Sequence, residues 1–138
     1  MQAWAYVVKK EFDMLVKVNA WIDDFVYYIS LCTEPEFIDT VDMQERYYNK
    51  ALQCLDNWVR YNTYLPKETV HRIADTLKYL AEMAIAFSND DDVSDIELTE
   101  VIGAIYDLAE MAKIVSVINI WEKVREKYKD FSIEHTTA

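Results

Sequence analysis

The scarcity of glycine constrains the fold of this chain more than any other feature of its sequence. Among 138 residues there is one glycine, Gly103, and there are two prolines, Pro35 and Pro66. β-Hairpins and phosphate-binding loops use glycine for backbone conformations that other residues avoid. Apolar residues make up 52% of the chain, which is enough to build a core and argues against disorder. We therefore predict a single all-α domain.

Apolar residues recur at alternating steps of three and four, which is the spacing of amphipathic helices. The predicted helices cover about residues 2–31, a segment that starts between 35 and 42 and ends near 61, residues 66–87 and residues 95–129. The apolar stripe predicted for helix 2 is Met43, Tyr47, Ala51, Cys54, Trp58 and Tyr61. We expect four long helices in an antiparallel bundle over residues 1–130, with helix 4 the longest and 131–138 a disordered tail.

Helix 4 changes its apolar side partway along. In its first half the apolar residues share one side, but beyond Ala112 that side carries Ser116, Asn119 and Lys123. The apolar residues of the second half, which lie on the other side, are Ile114, Val117, Ile118 and Trp121. Either the helix kinks near residues 112–115, or its second half packs against helix 1 or another copy of the chain. We predict a homodimer formed through those four residues, because an apolar patch rimmed by charge usually has a partner.

The acidic stretch SNDDDVSDIELTE, residues 88–100, looks like a calcium loop but is better explained as a helix start. In an EF-hand alignment Val93 falls at a ligand position, and Ser94 falls where the turn needs glycine. Ser94 and Glu97 instead have the spacing of a capping box, in which each side chain binds the backbone N–H of the other residue. We therefore predict the start of helix 4 here and no calcium site.

Negative charge dominates the chain and is unevenly distributed. The net charge of −11 argues against nucleic acid and anionic membranes as direct partners, and it permits a basic protein partner. Neither residues 34–45 nor residues 79–112 contain a lysine or an arginine. The candidate partner-binding residues are Glu97, Glu100, Asp107, Glu110, Asp90, Asp91, Asp92, Glu36, Asp39 and Asp42. The simpler interpretation is that these carboxylates only keep the chain soluble.

The leading functional hypothesis is a non-enzymatic interaction module. Carboxylates held on rigid helices can imitate the phosphates of a nucleic acid and attract the basic surface of a protein that handles nucleic acid. In overall character the chain resembles the small acidic helical inhibitors carried by phages. This hypothesis implies no catalytic residue, no metal and no cofactor.

An enzyme of another class is the alternative. Glu97, Glu100, Asp107 and Glu110 form two acid pairs at a spacing of three residues, and such pairs can hold Mg²⁺. Residues 97–110 are similar to the paired acidic motifs of the all-α nucleotide pyrophosphohydrolases. Those enzymes place the two pairs on different helices, whereas here both lie on one. A third possibility is a purely structural homo-oligomer.

The remaining reactive residues form no recognisable site. Cys32 and Cys54 make no CxxC motif, which favours a reducing cytoplasm. Charged residues follow the N-terminus too soon for a signal peptide, and no apolar run reaches membrane-spanning length. Glu11 interrupts the apolar seam of helix 1, so it must be paired, protonated or at the rim of the core. Its role stays open: Glu11 either transfers a proton or binds a ligand, or it forms a hydrogen bond with a core tyrosine.

Overall fold

The computed structural model consists of four α-helices and confirms the predicted all-α architecture. It describes the backbone of residues 2–34, 36 and 40–137, and the side chains of residues 6, 8–34, 36, 40–126 and 129. The helices are α1 (Gln2–Thr33), α2 (Val41–Tyr61), α3 (Lys67–Ser88) and α4 (Asp95–Thr137). α4 is an unbroken helix through residues 112–115 and continues past Lys129 into the segment expected to be a disordered tail. The domain boundary at residue 130 stays a prediction.

The core lies along the centre of the bundle, where every helix contributes an apolar stripe. Its largest fully buried apolar side chains are Trp58, Phe25, Leu15, Ile22, Ile29, Leu77, Ile105 and Ile120. At about 1.5–3 kcal/mol for each large apolar side chain, this burial is the main force that holds the helices together. Each helix packs on the helices before and after it, and α1 also packs on α4 and α3.

The buried stripe of α2 differs from the predicted one. Tyr61 is 52% exposed, and Met43, Tyr47 and Cys54 are only half-buried. The buried residues are Gln44, Ala51, Leu55 and Trp58. These fall on the 4-3 series 44-48-51-55-58. The prediction missed Gln44 because it is polar, and it missed Leu55 because the neighbouring Cys54 is also apolar and fitted the predicted series.

Contacts between helices show that neighbours run antiparallel. On α1 and α4 the Phe12 and Trp121 rings lie 5.4 Å apart, while Ser30 Oγ and Tyr106 Oη are 3.1 Å apart at the other end of the pair. The α1–α2 connection and the α3–α4 turn therefore lie at one end of the bundle. The α2–α3 connection lies at the opposite end, where Lys123 Nζ donates to Thr63 O over 3.1 Å.

Candidate functional site

The fold brings the two acidic runs of the sequence together at one end of the bundle. One run lies in the α1–α2 connection and the start of α2, and the other lies in the α3–α4 turn and the start of α4. We call this surface the acidic end and define it by its exposed carboxylates, which are Glu34, Glu36, Asp42, Glu45, Asp90, Asp91, Asp92, Asp95 and Glu97. Asp39, also predicted to bind the partner, lies outside the described residues.

A pair of side-chain amides, buried Gln44 and exposed Asn89, joins the two halves of the acidic end. Asn89 Nδ2 donates to Gln44 Oε1 over 2.9 Å, and Gln44 Nε2 donates back to Asn89 Oδ1 over 3.2 Å. Gln44 Nε2 also donates to Cys32 O over 2.9 Å, while Cys32 Sγ donates to Gln44 O over 3.4 Å. A buried amide left without partners is costly, so these bonds fix the end of α1 and the first turn of α2 against the α3–α4 turn.

The α3–α4 turn is ordered by its own side chains. Asp90 Oδ1 accepts from Asp92 N over 2.9 Å, which is an Asx turn. The predicted capping box is confirmed: Glu97 N donates to Ser94 Oγ over 3.2 Å, and Ser94 N donates to Glu97 Oε2 over 3.1 Å. Asp90 and Glu97 therefore use a carboxylate oxygen within the chain, whereas no hydrogen bond from a described residue occupies the Asp91 or Asp92 side chain.

The four acidic residues predicted on helix 4 have different surroundings. Glu97 belongs to the cap, and Glu100 and Asp107 are exposed on the outer side of α4. Glu110 Oε1 lies 2.6 Å from Lys113 Nζ, and that ammonium group also lies 2.7 Å from Asp23 Oδ1 on α1. The structure thus partly neutralises Glu110 and ties it to the α1–α4 contact, away from the acidic end.

Two carboxylates, Asp23 and Glu110, favour the protonated form of Lys113. Burial lowers the pKa of Lys113, but hydrogen bonds and charge interactions with Asp23 and Glu110 outweigh burial and raise that pKa above its ordinary value of 10.5. Lys113 therefore stays protonated at neutral pH and links α1 to α4.

The geometry offers no metal site for the pyrophosphohydrolase alternative within the described part of the chain. No group of three or more His, Cys, Asp and Glu side chains there lies close enough together to hold a metal ion. Glu100 and Asp107 are seven residues apart, which is two helical turns or about 10 Å. No carboxylate of a second helix completes a metal-binding group with them among the described residues.

Of the residues predicted for self-association, Ile114, Val117 and Ile118 lie on the solvent side of α4, and the exposed Trp121 also contacts Phe12 of α1, as the expected packing on helix 1 requires. The exposed fractions are 54% for Ile114, 36% for Val117, 52% for Ile118 and 58% for Trp121. The sequence analysis missed two exposed neighbours, Met111 and Val115, which lie in the same stretch of the helix. An apolar surface here is therefore a property of the folded chain, whereas its partner stays a prediction.

A cleft of mixed polarity at the opposite end of the bundle is lined in part by the Glu11 side chain. It has a volume of about 350 Å³ and is lined by Glu11, Met14, Thr63, Tyr64, Ile120 and Lys123. Burial and then the charge of Glu11 raise the pKa of Tyr64, so the carboxylate lies close to this tyrosine. Glu11 is half-buried at the rim of the core, which agrees with the rim position considered for it.

No family model, curated protein or solved structure matches this chain. The acidic end and the exposed face of α4 are the two surfaces of the described chain that most resemble interaction sites. None of the helices, over the described residues, combines the length and apolarity needed to cross a membrane.

Proposed function

We propose that this protein is a non-enzymatic interaction module whose acidic end binds the basic surface of another protein. The single observation that supports the proposal most is the meeting of the two acidic runs at one end of the bundle. Neither run contains a lysine or an arginine that would neutralise it. A surface of one sign steers an oppositely charged partner over about a Debye length, roughly 8 Å at physiological salt.

The rigidity of the acidic end favours recognition over a merely solubilising role. The Gln44–Asn89 amide pair and the Ser94–Glu97 cap hold the start of α2 and the α3–α4 turn in fixed positions. Binding partners lose little conformational entropy when charges are already positioned. Proteins that handle nucleic acid present dense lysine and arginine to phosphates, so we propose that the partner belongs to this class and that binding occludes its nucleic-acid site. The free thiols Cys32 and Cys54 support a reducing, cytoplasmic setting for this encounter.

The test compares two triple variants with equal changes in net charge. The acidic-end variant is Glu36→Gln, Asp91→Asn and Asp92→Asn; the control is Glu126→Gln, Asp75→Asn and Asp13→Asn, all exposed residues outside the acidic end. Each immobilised protein is incubated with lysate of the source cells at low and high salt. We expect the wild type and the control to retain a basic protein at low salt and to release it at high salt. The same protein should bind the acidic-end variant about ten-fold more weakly.

A competition assay then tests the mimicry. The wild-type protein should displace nucleic acid from the retained partner, whereas the acidic-end variant should not. If both triple variants retain the same proteins equally well, the acidic end is only a solubilising surface, and the proposal is wrong.

A further inference from the structure

The outer face of α4 carries a contiguous run of exposed apolar side chains. We call it the α4 apolar strip; its members are Met111, Ile114, Val115, Val117, Ile118 and Trp121, each between 36% and 60% exposed. Large apolar patches on a folded chain mark interaction sites, because leaving them in water costs free energy. A partner that covers the strip would recover that free energy.

Polar contacts on the inner face explain why the strip faces outward. Ser116 is fully buried and donates to Ala112 O over 2.9 Å. Asn119 Nδ2 donates to Tyr64 O, and Lys123 Nζ donates to Thr63 O. The Asn119 and Lys123 bonds satisfy carbonyls of the α2–α3 connection, and Ile120 and Val124 are buried in the core. Together these contacts fix the rotation of α4 and leave the strip in solvent.

The strip has the spacing of a coiled-coil seam. Positions 107, 111, 114, 118, 121 and 125 follow steps of 4-3-4-3-4, and the four inner ones are Met111, Ile114, Ile118 and Trp121. Alternating steps of three and four keep side chains on one side of a helix that packs against a second helix. Val115 and Val117 occupy the flanking positions and widen the seam.

Opposite charges close the two ends of this seam. Asp107 lies at the N-terminal end and Arg125 at the C-terminal end; both are exposed, and neither is in an ion pair with another described residue. In a parallel in-register pair of α4 helices, Asp107 would meet Asp107 and Arg125 would meet Arg125. In an antiparallel pair centred near residue 116, Asp107 meets Arg125 at both ends, Met111 meets Trp121, and Ile114 meets Ile118.

We propose that the strip binds a second copy of this chain, with the two α4 helices packed antiparallel and closed by Asp107–Arg125 pairs between subunits. Six partly exposed side chains form a small interface when compared with the roughly 800 Å² per partner of a standard one. Val16, one turn beyond Phe12 on α1, is 68% exposed and can extend the contact beside Trp121. We expect dissociation constants on the order of micromolar.

In this dimer Asp107 contacts the second copy, and the acidic end stays accessible to another protein. Because α4 begins 21 residues from the centre of the pair, each acidic end lies about 30 Å from the symmetry axis. The dimer would present two acidic ends pointing in opposite directions, about 60 Å apart. The proposal does not depend on what the acidic end binds.

The test is a charge swap measured by sedimentation equilibrium. Asp107→Lys alone and Arg125→Glu alone each place like charges together at both ends of the seam, so each should weaken the dimer about ten-fold or more. The double variant restores opposite charges and should return the dissociation constant to within about three-fold of wild type. Residues 107 and 125 are about 27 Å apart along one helix, so pairing within a chain cannot produce the rescue.

Two controls separate association from folding and from partner binding. Circular dichroism and thermal unfolding should show the same helix content in all variants, because both residues are exposed. Ile118→Glu, at the centre of the seam, should abolish the dimer without changing capture of a basic protein by a single acidic end. The proposal is wrong if the wild-type protein stays monomeric at concentrations of hundreds of micromolar. It is also wrong if the dimer of the double variant dissociates as readily as the dimers of the single variants.

Discussion

At the scale of single residues, Gln44 decides how the acidic end is built. It is a polar side chain on the buried 4-3 series of α2, and its amide bonds to both Cys32 and Asn89. A buried amide costs little when its bonds are complete and a good deal when they are not. Gln44 therefore links the stability of the fold to the position of the acidic residues.

Replacing Gln44 with leucine should destabilise the protein although leucine is apolar and similar in size. The substitution leaves the Asn89 amide and Cys32 O without their present partners, so we expect a loss of about 1–3 kcal/mol in the free energy of unfolding. Urea unfolding measures it. Gln53→Leu, on the exposed side of the same helix, is the matched control and should change stability by less than about 0.5 kcal/mol. Equal effects of both substitutions would argue against the role assigned to Gln44.

At the scale of elements, the second half of α4 packs on the bundle with a mixed face, in which Ser116, Ile120 and Val124 are buried and Asn119 and Lys123 supply donors to a neighbouring backbone. The connection between α2 and α3 exposes carbonyls of Thr63 and Tyr64 to the bundle, and Lys123 and Asn119 donate to them. A partly buried carbonyl without a donor costs free energy, so the connection requires donors from α4. The change of apolar side within helix 4 follows from this requirement and needs no break in the helix.

Asn119→Leu tests this account of α4. The variant adds apolar surface at a half-buried position but removes the donor to Tyr64 O, so we expect the free energy of unfolding to fall by about 1 kcal/mol and the melting temperature by a few degrees. Thermal unfolding provides the measurement. Asn49→Leu, at an exposed position on α2, serves as the comparison. A more stable Asn119→Leu protein would show that apolar packing, and not the donor, determines the rotation of α4.

At the scale of the whole molecule, the bundle separates charge along its length. The acidic end has no basic residue in either of its two runs, while many of the lysines and arginines lie toward the opposite end, among them Lys9, Lys67, Lys123 and Arg125. Such a separation orients the molecule in the field of a charged partner. In the two proposals, the acidic end recognises a partner through its charge, and the α4 apolar strip, a different surface, mediates self-association.

The stability of the whole bundle should fall at alkaline pH. Burial raises the pKa of Cys32 from 9.0 to about 11. Burial and then the hydrogen bond that its hydroxyl donates to Glu82 raise the pKa of Tyr48 above its ordinary value of 10.0. Groups with a raised pKa in the folded state keep protons that the unfolded chain has already lost, so their stabilisation is complete below the ordinary pKa and disappears as pH rises through the folded pKa.

Urea unfolding between neutral pH and about pH 11 measures this dependence, and we expect the free energy of unfolding to decline steadily above about pH 9. Tyr48→Phe removes one of the contributing groups and should make the decline shallower; Tyr79→Phe, at a largely exposed tyrosine, should not. Stability that stays constant to pH 11 would contradict the burial of these groups.

Local signals predicted the helices and most of their ends. The Ser94–Glu97 cap was correct to the residue, and α3 begins one residue after the proline predicted to start it. The buried stripe of α2 was predicted less well, because Gln44 is polar and its burial depends on partners on α1 and beyond α3. The acidic residues were identified as two separate runs, and their meeting at one end was not predicted.

By itself, the sequence determined the all-α class, the four helices and the excess of negative charge, because helix formation and capping depend on residues only a few positions apart. Only the tertiary structure decided which charges lie together, that Gln44 is buried, and that α4 turns Ser116, Ile120 and Val124 inward and its apolar strip outward. These outcomes depend on hydrogen bonds between residues tens of positions apart in the chain, such as Gln44 with Asn89 and Asn119 with Tyr64. No local pattern specifies such partners, because each bond forms only after the helices have packed.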